Sequence, residues 1–153
     1  GIHLIAYSEP YLVDIDNDGD LDLYFSDFCG GLSFWRNNEI SNRLAISLTP
    51  GSTPVVIPAS GGNFSFTVEV QNSTSAAVNF DVWTEAALPN GRIMGPLLQR
   101  NGLNISSGGS ASRVILQSVP GQAPGGNYRY IGKVGVYPDS VLDEDEFPFI
   151  KLP

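Results

Sequence analysis

The sequence predicts an all-β protein whose main domain is a β-sandwich, and three observations support this fold class. Short runs of β-branched and aromatic residues alternate with turns rich in Gly, Pro, Asn and Ser. Residues 64–70 alternate cleanly, with apolar side chains on one face and Ser, Thr and Glu on the other. No stretch keeps the 3.6-residue period of an amphipathic helix. We therefore expect a sandwich of about seven or eight strands, preceded by a small N-terminal hairpin segment.

The N-terminal segment contains three predicted strands around an acidic loop. Apolar runs at 10–13 and 21–25 flank the loop, and Gly30-Gly31 predicts a turn into a third strand that includes Trp35. Residues 1–8 form another apolar run. We interpret this run either as an ordinary first strand or as a strand donated to the sheet of a neighbouring subunit.

The strands of the sandwich are separated by clear turn signals. Asn90-Gly91 is the strongest hairpin dipeptide, and glycine-rich 107–109 and 121–126 predict loops. Several prolines fall at predicted strand ends, where a missing N–H does no harm. The predicted strands are 43–48, 54–58, 63–71, 77–85, 92–99, 111–118, 127–137 and 147–151. The acidic run 143–146 is predicted to be a solvated loop, with a second cation site as the alternative.

The net charge of −8 is concentrated at the N-terminus. Eight acidic residues and one arginine give residues 1–40 a charge of −7, whereas eight acids and seven bases give residues 41–153 a charge of −1. The chain has no basic patch, which excludes nucleic-acid binding. No apolar run approaches the ~20 residues of a membrane span. The chain begins at Gly1 without a signal peptide, and we interpret it as a processed form.

Residues 14–22 carry an aspartate at every second position around a glycine, in the order Asp-Ile-Asp-Asn-Asp-Gly-Asp-Leu-Asp. Carboxylates this close repel one another unless a cation lies among them, and Ca²⁺ accepts many oxygen ligands in a flexible cage. Gly19 occupies the sixth position, where a calcium loop turns sharply. We interpret the run as a Ca²⁺ site rather than a solvated acidic turn or a Mg²⁺ site. The predicted ligands are Asp14, Asp16, Asp18, Asp20 through its backbone carbonyl, and Asp22.

Residues 10–37 resemble one FG-GAP-like (VCBS) repeat, the calcium-bearing unit of integrin α-chain propellers and of many bacterial surface proteins. The likeness lies in the Asp-x-Asp-x-Asp-Gly-x-x-Asp core of 14–22, its apolar flanks and the closing segment 31–37. The resemblance implies calcium held by the same aspartates. A propeller blade needs neighbouring blades, and the sequence contains no second loop of this pattern. We therefore expect the segment to pack on its own sandwich or to complete its sheet with another copy.

Residues 41–153 resemble an immunoglobulin-like module of the kind that follows such repeats in secreted bacterial proteins. The phrase 123–130, Ala-Pro-Gly-Gly-Asn-Tyr-Arg-Tyr, is similar to a strand entry of those modules. The resemblance implies two domains, 1–40 and 41–153, and a location outside the cell or at its surface.

Catalysis has little support in the sequence. The one histidine, His3, lies at the N-terminus, and the one cysteine, Cys29, is interpreted as a buried thiol or as an intermolecular bridge. A glycosidase pair would have to come from Glu69, Asp81 or Glu85, which on strands more often face solvent. We therefore expect no enzymatic activity.

Two features of the sequence are candidates for a role of carbohydrate. Three Asn-x-Ser/Thr sequons begin at Asn63, Asn72 and Asn104, and Asn72 is the favoured glycosylation site because it lies in a polar turn. Trp35 and Trp83 are interpreted as core or sheet-face aromatics, with a sugar-stacking platform as the alternative.

The leading functional hypothesis is an extracellular, calcium-stabilised structural protein that assembles with itself. Strand exchange between copies would give a homo-oligomer or, repeated head to tail, a helical filament. The alternative is a carbohydrate-binding or adhesion module released from a larger secreted protein.

Overall fold

The computed structural model describes residues 9–13, 21–26, 32–35 and 44–153, and it is all-β. The chain divides into two compact units, Gly1–Ser41 and Asn42–Pro153, one residue from the predicted boundary. Within the described ranges, no helix is long and apolar enough to span a membrane.

The N-terminal unit contains an antiparallel sheet of three short strands in the order β1-β2-β3. The strands are β1 (Glu9–Val13), β2 (Asp22–Ser26) and β3 (Leu32–Trp35). Each lies close to a predicted run, because apolar residues flank the acidic loop and a Gly-Gly turn follows.

The C-terminal unit is an immunoglobulin-like sandwich of eight strands in two sheets. One sheet has the order β5-β11-β10-β7-β8 and the other the order β4-β6-β9. The strands are β4 (Leu44–Pro50), β5 (Val55–Ile57), β6 (Gly61–Asn72), β7 (Val78–Ala87), β8 (Ile93–Ile105), β9 (Ser110–Pro120), β10 (Gly126–Val136) and β11 (Ser140–Lys151). Strands β8 and β11 are longer than predicted, because β8 continues past 99 and β11 begins before the acidic run.

An aromatic cluster fills the core between the two sheets. Phe64 and Phe66 point inward from β6, and their ring centroids lie 5.2 Å and 4.9 Å from that of Tyr130 on β10. Phe147 and Phe149 of β11 close the cluster. Each side chain is buried, and full burial of one such ring is worth about 1.5–3 kcal/mol. The clean alternation of 64–70 therefore reports the inner face of β6.

On one side of the sandwich, backbone N–H groups of the edge strand β4 donate to aspartate carboxylates rather than to the backbone of a neighbouring strand. The Ile46 N–H donates to Oδ2 of Asp143 over 2.8 Å, and the Leu48 N–H donates to Oδ2 of Asp145 over 2.7 Å. These two aspartates of β11 thus take the place of a neighbouring strand for β4, the edge strand of the other sheet. The prediction of a solvated loop at 143–146 is wrong, because alternate acids in this run have backbone partners.

A tyrosine fixes the entry into β10. The Tyr128 hydroxyl donates to the Pro124 carbonyl over 2.7 Å, four residues earlier in the chain. This geometry is that of the tyrosine corner of immunoglobulin-like folds. The phrase 123–130 therefore forms the entry into β10.

Replacing Asp145 with Ala should lower the free energy of unfolding by about 1–3 kcal/mol, because the Leu48 N–H loses its acceptor. Urea unfolding followed by Trp83 fluorescence, in a Trp35→Phe background, measures the change in the sandwich. Glu146→Ala is the matched control, since within the described ranges Glu146 forms an exposed ion pair with Arg129 alone, and its loss should change stability by less than ~1 kcal/mol. Equal effects of the two substitutions would contradict this role for Asp145.

Alkaline pH should destabilise the sandwich through Tyr130. Its hydroxyl lies 2.9 Å from Oγ1 of Thr84 and donates to Oε1 of Gln117 over 2.8 Å. Burial raises the pKa of Tyr130 above its ordinary value, and the hydrogen bond with Thr84 only partly offsets this. The folded pKa is therefore above the unfolded pKa of about 10. The stability that this difference contributes is complete below that pH and is lost as the pH rises through the folded pKa.

Unfolding free energies measured across this range should fall less steeply in Tyr130→Phe than in the original protein. Tyr128, whose pKa burial also raises, is present in both, so the difference in slope reports Tyr130. Identical slopes would sink this assignment.

Candidate functional site

The pairing of β1 with β2 brings together Val13, which precedes the acidic run, and Asp22, its last residue. Val13 at the end of β1 is paired with Asp22 at the start of β2. The Asp22 side chain is 1% exposed. The other four predicted ligands, Asp14, Asp16, Asp18 and Asp20, lie outside the described residues.

Asp22 is buried at the start of β2, where the predicted loop ends. Within the described ranges, no three His, Cys, Asp or Glu side chains cluster as metal ligands. The ligand set therefore stays a prediction, carried by the spacing of the aspartates.

Both faces of the N-terminal sheet carry apolar residues. The register aligns Tyr11, Tyr24 and Phe34 in one row across the three strands, and Leu12, Leu23 and Trp35 in a row on the opposite face. Tyr11 is 57% exposed and Phe34 56%, while Leu12 is 65% and Trp35 59% exposed. We call these the tyrosine row and the leucine row.

The three sequons occupy different environments. Asn63 and Asn104 are exposed on strands, although Nδ2 of Asn104 donates to Oδ1 of Asn79 over 2.9 Å. Asn72 is fully buried, and its Nδ2 donates to the carbonyls of Ala76, Ile105 and Ser106. Nδ2 is the atom to which a glycan would be attached, so the folded sandwich disfavours glycosylation at Asn72. The polar turn that suggested a glycan is instead organised by this side chain, whose Oδ1 accepts hydrogen bonds from Thr74.

The structure does not bring together the carboxylates considered for glycoside hydrolysis. Glu69 lies on the outer face of the three-stranded sheet, whereas Asp81 and Glu85 lie on the other sheet. Asp81 accepts the N–H groups of Gly102 and Tyr137, over 2.8 Å and 2.9 Å. Glu85 forms an ion pair with Lys133 over 2.8 Å. His3 and Cys29 lie outside the described residues.

The two tryptophans differ in exposure. Trp83 is buried and meets Tyr137 edge-on at 5.4 Å between ring centroids, so it is a packing residue rather than part of a sugar platform. Trp35 is exposed in the leucine row.

A groove runs between β8 and β9, along the side of the sandwich away from the hydrogen bonds of Asp143 and Asp145, and the sequence did not predict it. Strand β8 pairs only with β7 and β9 only with β6 among the described strands, so both are edge strands on the same side. A cavity of about 460 Å³ lies between them, with core side chains of β6 and β7 as its floor. Arg100 from β8 and Arg113 from β9 line it. The alternation in 111–118 is ambiguous, because Val114 and Leu116 are apolar but point outward. For this reason the sequence did not predict that Arg113 points into the groove.

Comparisons with known proteins support the fold of the sandwich. No known family model matches the chain, and no curated protein does. An alkylpurine DNA glycosylase from Pseudomonas fluorescens, bound to DNA containing an abasic site analogue, is similar with a TM-score of 0.58 and 14% identity over 72% of this chain and 31% of its own. A CARDB domain from Pyrococcus furiosus is similar with a TM-score of 0.51 and 16% identity, over 72% of this chain and 94% of its own.

A β-glucuronidase from Bacteroides uniformis is also similar, with a TM-score of 0.52 and 11% identity over 69% of this chain and 14% of its own. This chain therefore spans less than a third of the length of both enzymes. Identities this low show a shared fold alone, and the fold shown is an immunoglobulin-like β-sandwich.

Asn72→Ala should cost the sandwich about 1–3 kcal/mol, because three carbonyls and the Thr74 N–H lose their partner. Urea unfolding of the full chain measures this loss. The matched control is Asn63→Ala on the same strand. Because the Asn63 side chain is exposed, this substitution should change the free energy of unfolding by less than ~0.5 kcal/mol. If Asn72→Ala were as mild as the control, the organising role of Asn72 would be wrong.

Proposed function

We propose that this chain is an extracellular, calcium-stabilised structural module that assembles with copies of itself, as a surface or filament subunit joined by β-strand complementation. The observation that carries this proposal is the pair of exposed apolar rows on opposite faces of the N-terminal sheet.

The two rows favour stacking on both sides. An antiparallel sheet at a protein surface usually has one apolar and one polar face. Here Phe34 and Trp35, adjacent in β3, expose large aromatic surfaces in opposite directions. A sheet with two apolar faces is stable between two neighbouring layers, as a propeller blade is between two blades. Contiguous exposed apolar surface of this kind marks an interaction site.

The sheet also has room for a further strand. Propeller blades have about four strands, whereas three are described here, and β1 and β3 are its two edges. A strand from another copy, for which the apolar residues 1–8 are the candidate, would pair with one of these edges through backbone hydrogen bonds. Repeated from copy to copy without closure, such a contact produces a filament.

Calcium is proposed to hold the loop that connects β1 to β2. The proposed ligands are Asp14, Asp16, Asp18, Asp22 and the backbone carbonyl of Asp20. Bound calcium would neutralise the aspartates, and metal binding would therefore be coupled to folding of the sheet. Asp22 belongs to both the loop and β2, which makes it the link between the two.

A second candidate function is a carbohydrate-binding or adhesion module of a larger secreted protein. The same apolar rows would then pack against neighbouring repeats of one longer chain. Exposed Trp35 would offer a ring on which a sugar could stack. Neither candidate includes catalysis, and Asn63 and Asn104 are the remaining candidate glycan sites.

The main proposal predicts calcium-dependent assembly. Sedimentation velocity and negative-stain images of the full chain should show oligomers or filaments in calcium and monomers after chelation. Trp35→Ser should abolish assembly, because it removes the aromatic group of the leucine row. Val141→Ser is the matched control, since it removes an exposed aliphatic side chain from the sandwich and should leave assembly intact.

Calcium should also raise the thermal stability of the N-terminal unit, and Asp22→Asn should weaken this effect. A monodisperse monomer that sediments and melts identically with and without calcium would contradict the proposal. A monomer retained on polysaccharides through Trp35 would instead favour the second candidate.

A further inference from the structure

The groove between β8 and β9 contains two inward-pointing arginines. Arg100 is paired with Val82 and Arg113 with Val68, and paired residues in a sheet point to the same side. Val82 is buried in the core, and Val68 packs against it. The two guanidinium groups therefore enter the groove from opposite walls, above an apolar floor.

Neither arginine is matched by a carboxylate in the described part of the chain. The described ion pairs join Arg129 to Glu146 and Lys133 to Glu85 and Glu144. Arg100 donates to the Gln99 carbonyl over 3.2 Å, a contact with a neutral group. Guanidinium groups form strong charge-assisted hydrogen bonds with carboxylates, so two arginines without a carboxylate partner favour an anion beside them.

A second cavity continues the groove toward the other end of the sandwich. Its volume is about 350 Å³, and it is lined almost wholly by apolar groups, among them Met94 and Leu97 of β8 and Val119 of β9. The two cavities adjoin along both walls. On β8, Leu98 lines the first cavity and its neighbour Leu97 lines the second; on β9, Leu116 lines the first and Gln117 lines the second. The groove thus has a cationic end and an apolar end.

From this arrangement we infer that the groove binds an amphipathic carboxylate, with its anionic head between Arg100 and Arg113 and its alkyl tail on the apolar floor. A planar guanidinium is suited to bidentate contact with a carboxylate. Volumes of several hundred Å³ and a mainly apolar lining are typical of small-ligand sites. All residues that line the groove belong to the C-terminal unit, and the inference does not rest on the proposed assembly.

A titration of the full chain with octanoate, followed by amide NMR shifts, tests the inference. Octanoate should shift amides of β8 and β9 around the two arginines, and it should bind at least about tenfold more tightly than octan-1-ol, octylamine or acetate. Octan-1-ol lacks the negative charge, octylamine carries a positive charge instead, and acetate lacks the alkyl tail. Octanoate should also raise the melting temperature, as a ligand of the native state does.

Two variants and one control assign the head-group contact. Arg100→Gln and Arg113→Gln should each weaken octanoate binding at least about tenfold. Arg92→Gln, which removes a positive charge from an exposed turn outside the groove, should leave the affinity unchanged. Both arginines are exposed, so the variants should fold, and their amide spectra verify this.

Three outcomes would overturn the inference: no binding, equal affinity for octanoate and octan-1-ol, or unchanged affinity in both arginine variants. If these variants also associate through β8 or β9, the arginines act instead as charges that protect the sheet edges from pairing.

Discussion

The sandwich depends on two aspartates of one sheet accepting backbone N–H groups of the other. Asp143 and Asp145 alternate along β11, and Ile46 and Leu48 alternate along β4 with the same period. The side chains of Ile46 and Leu48 point into the core, while their N–H groups point sideways to the carboxylates. This tie joins the sheets along one side and protects an edge strand that would otherwise be open to pairing. Among the described residues, the side formed by β8 and β9 has no such tie, and the groove lies there.

The two units meet the same physical requirement in different ways. The sandwich buries the apolar face of each sheet against the other, and its core residues are almost fully enclosed. The N-terminal sheet is too small to do this, since its strands contain only five, five and four residues. It leaves Leu12 and Trp35 exposed on one face and Tyr11 and Phe34 on the other. That contrast is the reason why the proposed assembly surface is assigned to the N-terminal unit rather than to the sandwich.

Local patterns were sufficient for much of the fold. Period-two alternation predicted β6, apolar flanks predicted β1 and β2, and the Asn-Gly turn marked the end of β7 because these signals depend on neighbours in sequence. The acidic run 143–146 was misread, because its partners lie 97 residues away and free carboxylates usually face water. Asn72 was misread for a similar reason, since two of its acceptors lie more than 30 residues away, one at the end of β8 and one in the turn that follows it. The calcium ligands are predicted by the spacing of the aspartates alone. The groove exists because β8 and β9 are edge strands, and local sequence patterns do not tell which strands become edges.

Amide hydrogen exchange measures the central tie most directly. The N–H groups of Ile46 and Leu48 point to the free side of an edge strand, as do those of Val114 and Leu116 on β9 by the alternation of the antiparallel ladder. The structure predicts slow exchange for Ile46 and Leu48, comparable with amides of central β6, and fast exchange for Val114 and Leu116. Equally fast exchange at all four positions would show that the aspartates do not hold β4, and would contradict the account.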